Sequence, residues 1–362
     1  MREVNKLIDR FLELIEKIDR VFEKSSLRPA WDTMSTFFFS PRAVNPLKGP
    51  HIRDNTDLKR YMTAVMIAAS PTVLASIYFF GWRSLALVVF CYIVGIIIEM
   101  GFAVAKNEEV TEGMFVTCIL YPMILPPTIP FWMAAVGLAV GLILGKEVFG
   151  GTGKNIFNPA IVGRVFLSVT FPGPMSTSWT SPYKGIFGGF LHWTGTGDAL
   201  TSATPLLNLK GGELTPIKDL ILGTTSGSLG ETSGALIVIC GIFLIITKVA
   251  NWRLPLATII SALFVAEIMH LADPVKFAAP LFHLFAGGLL FGAFFMVTDP
   301  VTCPFTSTGK WIYGLFIGAI TIVIRNLSGF PEGVMFAILF MNIFASLIDE
   351  VVLAVKYGKG AS

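Results

Sequence analysis

Long apolar segments separated by short polar connections make up most of the chain. Residues 61–80 contain twenty residues without a charge, which is long enough for a helix to cross a bilayer core of about 30 Å. The pattern predicts an all-α polytopic membrane protein with about ten transmembrane helices. The predicted helices occupy residues 61–80, 84–104, 113–126, 131–146, 156–171, 234–250, 254–272, 277–297, 310–325 and 333–355.

A polar segment, residues 172–233, divides these helices into two sets of five. Because each set contains an odd number of helices, two related sets would form inverted repeats in the membrane. Prolines interrupt corresponding helices, with Pro126 near the end of the third and Pro300 near the end of the eighth. Interrupted helices free backbone groups that only protein or a polar cavity can receive. We therefore expect a central ligand or ion site, with proline kinks packed without a ligand as the alternative.

Composition excludes an ordinary soluble protein and gives no indication of nucleic-acid binding. Hydrophobic residues make up 54% of the chain, charged residues only 14%, and the mean hydropathy is +0.71. The net charge of +3 is too small to suggest a nucleic-acid partner. Twenty of the 27 lysine and arginine residues fall on the side that carries both termini. Because cytoplasmic segments carry the excess of these residues, we expect both termini in the cytoplasm.

The N-terminal segment differs from the rest because charged and apolar residues alternate in it. Apolar residues at three- to four-residue spacing between Val4 and Phe22 predict an amphipathic helix that lies on the membrane or on a partner. The predicted division is a cytoplasmic N-terminal segment, a first membrane repeat, an extracytoplasmic loop, a second membrane repeat and a cytoplasmic tail. These occupy residues 1–60, 61–171, 172–233, 234–355 and 356–362.

The extracytoplasmic loop contains a run of glycines and hydroxyl residues with one carboxylate, residues 195–206. Small residues around Thr204 leave its hydroxyl accessible to a large reactant, so that it could be esterified. A Ser/Thr-rich surface loop is the alternative interpretation. The pattern Asp-x-x-[Ser/Thr]-[Gly/Ser]-Ala-Thr, at which flavin transferases attach FMN through its phosphate to a threonine, is matched by Asp198, Thr201, Ser202, Ala203 and Thr204.

A glycine-rich connection between the fourth and fifth helices includes Gly150, Gly151 and Asn158. It is not a phosphate-binding P-loop, because Val148 stands at the first glycine position and membrane helices flank the segment. Glycines here would let the backbone re-enter the membrane or approach a planar ligand. The three residues are therefore candidate cofactor-binding residues.

Three carboxylates lie in the predicted membrane helices, where an ionised carboxylate at the bilayer centre costs about 2.5–3.5 kcal/mol. Glu99, Asp299 and Asp349 could supply the oxygen ligands that hard cations such as sodium prefer. They are candidates for an ion path, and ion-paired or helix-end carboxylates are the alternative. Arg164, in the fifth helix, is a candidate partner for one of them or for a flavin.

The four cysteines give no indication of a metal site within this chain. Cys91, Cys118, Cys240 and Cys303 are far apart and lack Cys-x-x-Cys spacing. Small apolar residues in packed helices are the favoured interpretation. A metal shared with a partner subunit is the alternative, and it would need ligands from another chain.

Five motifs are spread over most of the chain, at residues 51–60, 146–160, 227–231, 294–304 and 330–342. Together they resemble the NqrB/RnfD family, which comprises the B subunit of the sodium-translocating NADH:quinone reductase and the D subunit of the Rnf complex. The flavin-attachment pattern is similar to that of the same family. The N-terminal segment and residues 149–154 look like the reductase subunit, whereas residues 81–84 and 203–206 look like the Rnf subunit.

The resemblance implies a flavin-carrying subunit of a respiratory complex in the bacterial inner membrane, which passes electrons to quinone and couples them to sodium translocation. It implies FMN esterified to Thr204 by a flavin transferase, a second, non-covalent flavin that is riboflavin, and contacts with other subunits and lipid. It also implies that the three carboxylates handle sodium. The family's quinone pocket uses a glycine pair, of which this chain has Gly95 followed by Ile96.

Three other functions remain open on the sequence. One is the Rnf D subunit, which serves ferredoxin:NAD electron transfer coupled to ion transport. The second is a redox-inactive channel or transporter, because inverted repeats with broken helices also suit a solute pathway. The third is a structural scaffold for partners. Bound flavin would exclude the last two.

Overall fold

The structure, a computed structural model, describes residues 58–106, 113–183, 185–195, 202–231 and 233–358. The amphipathic helix predicted in the N-terminal segment lies outside these residues. The described residues are mainly helical and contain no β-strand. The helices are α1 (Leu58–Phe80), α2 (Trp82–Lys106), α3 (Gly113–Met123), α4 (Phe131–Gly145), α5 (Pro159–Thr170), α6 (Pro172–Thr177), α7 (Pro205–Lys210), α8 (Ile217–Leu222), α9 (Gly234–Ile246), α10 (Arg253–Ala272), α11 (Pro280–Phe285), α12 (Leu289–Phe291), α13 (Ser307–Leu327) and α14 (Val334–Tyr357).

Within the described residues, six helical segments are long and apolar enough to cross a membrane, which supports a multi-pass membrane protein. Three shorter apolar helices, α3, α5 and α9, accompany them. Large apolar side chains such as Ile97, Leu144 and Phe264 are exposed, as expected where helices face lipid. The arrangement as ten helices in two inverted repeats stays a prediction. The six segments are Arg60–Phe80, Trp82–Lys106, Phe131–Phe149, Arg253–Ala272, Ser307–Leu327 and Val334–Tyr357.

Backbone-to-backbone packing holds the short helix α5 against α4. A Cβ added to Gly163 of α5 would lie 2.4 Å from the carbonyl oxygen of Gly137. A Cβ added to Gly141 of α4 would lie 2.4 Å from the carbonyl oxygen of Pro159. Only glycine permits this approach, and small residues are common where membrane helices pack. The contact fixes α5, which reaches both cavities described below.

The chain leaves helical geometry between α3 and α4, where residues 124–129 are buried. Arg83, in the first turn of α2, is itself only 6% exposed. Its guanidinium donates hydrogen bonds to the carbonyl oxygens of Pro127 at 3.3 Å, Thr128 at 3.4 Å and Ile129 at 2.8 Å. The interruption predicted from the prolines is confirmed here. An arginine supplies the donors that the freed carbonyls need.

The apolar segment 277–297 is also divided, into α11, α12 and a π-helical turn at Gly292–Met296. Gly287 has a φ of +64°, which is a left-handed conformation that favours glycine. Arg325, in the last turn of α13, donates from Nη1 to the carbonyl oxygen of His283 at 2.6 Å. The Gly288 amide donates to Oε2 of Glu332 at 2.8 Å. In both interrupted segments, charged side chains therefore form hydrogen bonds with the backbone groups at the interruption.

Candidate functional site

A large cavity of about 380 Å³ lies between α5, α7 and the segments that precede α9 and α14. Its wall includes Arg164 of α5, Thr204 at the start of α7, and the carboxylates of Glu231 and Glu332. Small-molecule sites typically measure about 300–1,000 Å³. The cavity therefore has the size and the mixed polar and apolar lining of a ligand site.

Thr204 stands at the N-terminus of α7 and is partly exposed. Its Oγ1 accepts a long hydrogen bond of 3.4 Å from the amide of Leu207, so the hydroxyl stays available for chemistry. The neighbouring Ala203 is exposed. The Ser202 amide donates to the carbonyl oxygen of Trp179 at 3.1 Å, and its hydroxyl contacts that of Ser226. Asp198 and Thr201 lie outside the described residues.

Arg164 is the cation that α5 places at the same cavity. Its side chain is buried, and Nη1 donates to Oγ of Ser168 at 2.9 Å and contacts Sδ of Met175 at 3.8 Å. Among the residues that the structure describes, no carboxylate oxygen lies within 4.0 Å of its guanidinium. Since a buried cation is costly without an anion, this position favours an anionic ligand.

Two carboxylates, Glu231 and Glu332, also line the large cavity, and the sequence assigns neither of them a role. Oε1 of Glu332 accepts from Nη2 of Arg325 at 3.0 Å. Glu231 has no such ion pair in the described parts of the chain. Burial, together with the neighbouring charge of Glu332, raises the pKa of Glu231 to about 7. Both residues fall in motifs that the family resemblance singled out, which was the available signal.

A second, smaller cavity of about 70 Å³ lies where Asn158 meets the segment after the π-helical turn. Nδ2 of Asn158 donates to Oδ2 of Asp299 at 3.3 Å, and Oδ1 of Asn158 accepts from the Ala160 amide at 3.0 Å. Asp299 also accepts from the Val301 amide at 3.1 Å and from the Thr302 hydroxyl at 3.2 Å. The structure thus brings two predicted site residues, Asn158 and Asp299, together at one cavity.

Glu99 lies in a cluster of buried charges that adjoins the small cavity, because Lys146 lines that cavity and pairs with Glu99. Its carboxylate forms an ion pair with Lys146, and the two side chains are 4% and 3% exposed. Oε2 of Glu147 pairs with Lys106 at 2.7 Å, and its Oε1 lies 4.0 Å from the Lys146 ammonium. Of the two expectations for Glu99, the described contacts show an ion-paired carboxylate.

Asp349 has a third, distinct set of partners. It accepts hydrogen bonds from the Phe305 amide at 2.6 Å, the Thr306 amide at 3.0 Å and the Thr306 hydroxyl at 2.5 Å. These donors lie immediately before α13, so the carboxylate stabilises the start of that helix. The three predicted ion-path carboxylates are therefore not gathered into one site by the contacts described.

Gly150 and Gly151 adopt left-handed conformations, with φ of +105° and +93°. They follow a single 3₁₀ turn, Glu147–Phe149, and the Gly151 amide donates back to the Lys146 carbonyl oxygen at 3.2 Å. A tight turn therefore accounts for both glycines without a ligand. Their expected contact with a cofactor stays a prediction.

The predicted quinone residues lie on α2. A Cβ added to Gly95 would lie 2.3 Å from Sγ of Cys118, so this glycine permits close packing of α2 against α3. Ile96 points outward and is 37% exposed. Packing explains the glycine on its own, and a role of the pair in quinone binding stays a prediction.

No metal-binding cluster is found among the described residues. They contain no group of three or more His, Cys, Asp or Glu side chains placed to hold an ion. Cys91, Cys118, Cys240 and Cys303 are all buried and form no disulfide. Their burial agrees with the packing role expected from the sequence.

Comparison with known proteins places these features in a family. Residues 47–358 match the model of the NQR2, RnfD, RnfE family. The B subunit of the Na(+)-translocating NADH-quinone reductase from Ectopseudomonas mendocina is 39% identical, over 93% of this chain and 95% of the relative. The corresponding B subunits of Pseudomonas aeruginosa and Yersinia pestis are 36% and 33% identical, over 94% and 93% of this chain and 96% and 95% of the relatives.

Proposed function

Because the chain belongs to the NQR2, RnfD, RnfE family and is a membrane subunit of a sodium-translocating NADH-quinone reductase, we propose that its large cavity holds FMN esterified to Thr204. The flavin, when bound, supplies the electron chemistry. The chain supplies the attachment point, the orientation and the charge of the surroundings. Relatives named as reductase B subunits at 33–39% identity favour this function over that of an Rnf D subunit.

One observation carries the proposal: Thr204 borders the same cavity as Arg164, whose guanidinium has no carboxylate within 4.0 Å among the described residues. A phosphoester on Thr204 would keep one negative charge, and the Arg164 guanidinium offers the complementary charge in a partly desolvated place. The phosphate and guanidinium would then position the flavin ring among apolar side chains such as Phe285 and Met335. A covalent link also prevents the cofactor from dissociating.

Sodium coupling is proposed for the smaller cavity. Asp299 borders it and offers carboxylate oxygens close to Asn158, which are ligands that sodium prefers. Glu99 and Asp349 stay candidates for the ion path, where they would act by attracting the cation electrostatically, because both carboxylates already have protein partners. We also propose non-covalent riboflavin near Gly150 and Gly151, and quinone near Gly95 and Ile96.

The proposed setting is the bacterial inner membrane with both termini in the cytoplasm. This follows from the excess of lysine and arginine on that side. The partners are then the other reductase subunits, lipid, quinone, sodium and the flavin transferase that attaches FMN.

Intact mass of the purified chain tests the attachment directly. After expression with a flavin transferase, the chain should weigh more than its amino acids by one FMN less one water. Thr204→Ala should abolish the adduct. Thr225→Ala is the matched control, because Thr225 lines the same cavity, and it should keep the adduct. An unmodified wild-type chain, or an adduct that survives Thr204→Ala, would overturn the proposal.

A channel or transporter is the second candidate, supported by the small cavity beside an interrupted helix. It predicts no flavin on the chain and ion flux across vesicles in the absence of an electron donor. The redox function predicts the opposite for both measurements.

A further inference from the structure

The carboxylates of Glu231 and Glu332 lie close together on the wall of the large cavity, on either side of the position that a Cβ on Gly288 would occupy. A Cβ added to Gly288 would lie 2.4 Å from Oε1 of Glu231 and 3.6 Å from Oε2 of Glu332. A Cβ on the preceding Gly287 would lie 2.6 Å from the same oxygen of Glu332 and 3.1 Å from Nη2 of Arg325. Only glycines leave room for both acids here. The close approach of two like charges requires an explanation.

The two carboxylates have unequal partners. Glu332 receives the Arg325 guanidinium at 3.0 Å and the Gly288 amide at 2.8 Å, so its ionised form is well stabilised. Glu231 has neither contact. Two carboxylates this close do not both ionise easily, and the proton goes to the less stabilised partner.

Three charged groups act on the Glu231 carboxylate: Arg164, Arg325 and Glu332. Arg164 from α5 and Arg325 from α13 favour its ionised form. Burial and the charge of Glu332 oppose them and prevail, which raises the pKa of Glu231 to about 7.

We propose that Glu231 and Glu332 form a proton-binding site of the large cavity, in which Glu332 keeps its charge and Glu231 gains and releases the proton. With Glu231 protonated, the two arginines and Glu332 leave one positive charge. That charge equals the single negative charge of a phosphoester on Thr204. Any negative charge added to the cavity favours the protonated form of Glu231, so Glu231 takes up a proton when the cavity gains negative charge. Only this link to FMN rests on the proposed function.

Infrared spectroscopy of the purified full chain tests the site without flavin activity. In the Thr204→Ala background, a carboxylic-acid C=O band should disappear as the pH rises through about 7. Glu231→Gln should remove this band. Glu332→Gln should move its midpoint to lower pH, because Glu231 loses its like-charged neighbour. Glu213→Gln is the matched control, since Glu213 is exposed in the same loop, and it should leave the band unchanged.

Two results would overturn the inference. One is a band that survives Glu231→Gln, and the other is a midpoint that does not fall in Glu332→Gln. If Glu231→Gln does not fold, Glu231→Asp keeps a carboxyl, and a band unchanged in both frequency and midpoint refutes the assignment. Wild-type chain carrying FMN should titrate at higher pH than Thr204→Ala. A titrating band in wild-type chain that lacks the mass adduct after expression with the flavin transferase would refute the flavin proposal and leave the proton site standing.

Discussion

The buried ion pair between Glu99 and Lys146 supports a quantitative prediction. Removing one member of a buried pair leaves the other charge without its partner and typically costs about 3–5 kcal/mol of unfolding free energy. The loss for Lys146→Met should lie near the upper end of this range, because Glu99 loses the ammonium with which it forms its ion pair. The loss for Glu99→Gln should lie near the lower end of the range, because Oε1 of Glu147 lies 4.0 Å from the Lys146 ammonium and keeps a negative charge near it.

The double variant, Glu99→Gln with Lys146→Met, separates the pair from its surroundings. It removes both charges from the interior, so the cost of desolvating each of them disappears as well. We expect it to recover most of the stability lost in Lys146→Met. The free energy of unfolding would be measured by denaturant titration of the full chain in detergent. Lys356→Met, which changes an exposed lysine on α14, is the control and should change it by less than about 0.5 kcal/mol.

The same variants decide what Glu99 does in the ion path. If the carboxylate handles sodium, the double variant regains stability while the sodium dependence of quinone reduction stays altered. If stability and sodium dependence return together, the residue is structural. The reasoning about the pair would be refuted if both single variants lose less than about 1 kcal/mol, or if their losses simply add in the double variant.

Four further substitutions test contacts or conformations of the backbone. Arg83→Met should cost at least about 3 kcal/mol of unfolding free energy, because three buried carbonyl oxygens lose their donor; a normal unfolding midpoint would contradict this. Gly163→Ala should destabilise by about 1–3 kcal/mol through its clash with α4. Gly101→Ala, whose Cβ meets nothing within 4 Å, should instead stabilise α2 by up to about 1 kcal/mol. Asp349→Asn should cost about 1–2 kcal/mol at the start of α13, and a change confined to sodium dependence would assign Asp349 to the ion path instead.

Sequence periodicity located the helices because each long apolar run has to match the membrane thickness. The predicted segments 61–80 and 131–146 correspond to α1 and α4 within a few residues. The sequence does not show where the segment 277–297 divides, because Gly287 and Gly288 lie within an apolar run. The carboxylate that accepts from the Gly288 amide belongs to Glu332, 44 residues later. A contact between residues so far apart in the sequence produces no local sequence pattern.

The site was predictable residue by residue, but its grouping was not. Thr204 and Arg164 were each identified, yet nothing in the sequence shows that they border one cavity. No local pattern pairs Lys146 with Glu99, although the Lys146 side chain is 3% exposed and forms an ion pair with that carboxylate. Glu231 has no such pattern either, since its raised pKa depends on neighbours that only the fold brings close.

Helix α5 connects the two cavities and therefore offers a test of their coupling. Asn158 caps its N-terminus at the small cavity, and Arg164 follows six residues later at the large one. At 1.5 Å per residue, about 9 Å of rigid helix separates them. Because Gly163 packs directly on the α4 backbone, Gly163→Ala should displace both ends and reduce FMN attachment as well as sodium affinity. Arg164→Gln should reduce only the first, and equal effects of the two variants on sodium affinity would refute this coupling.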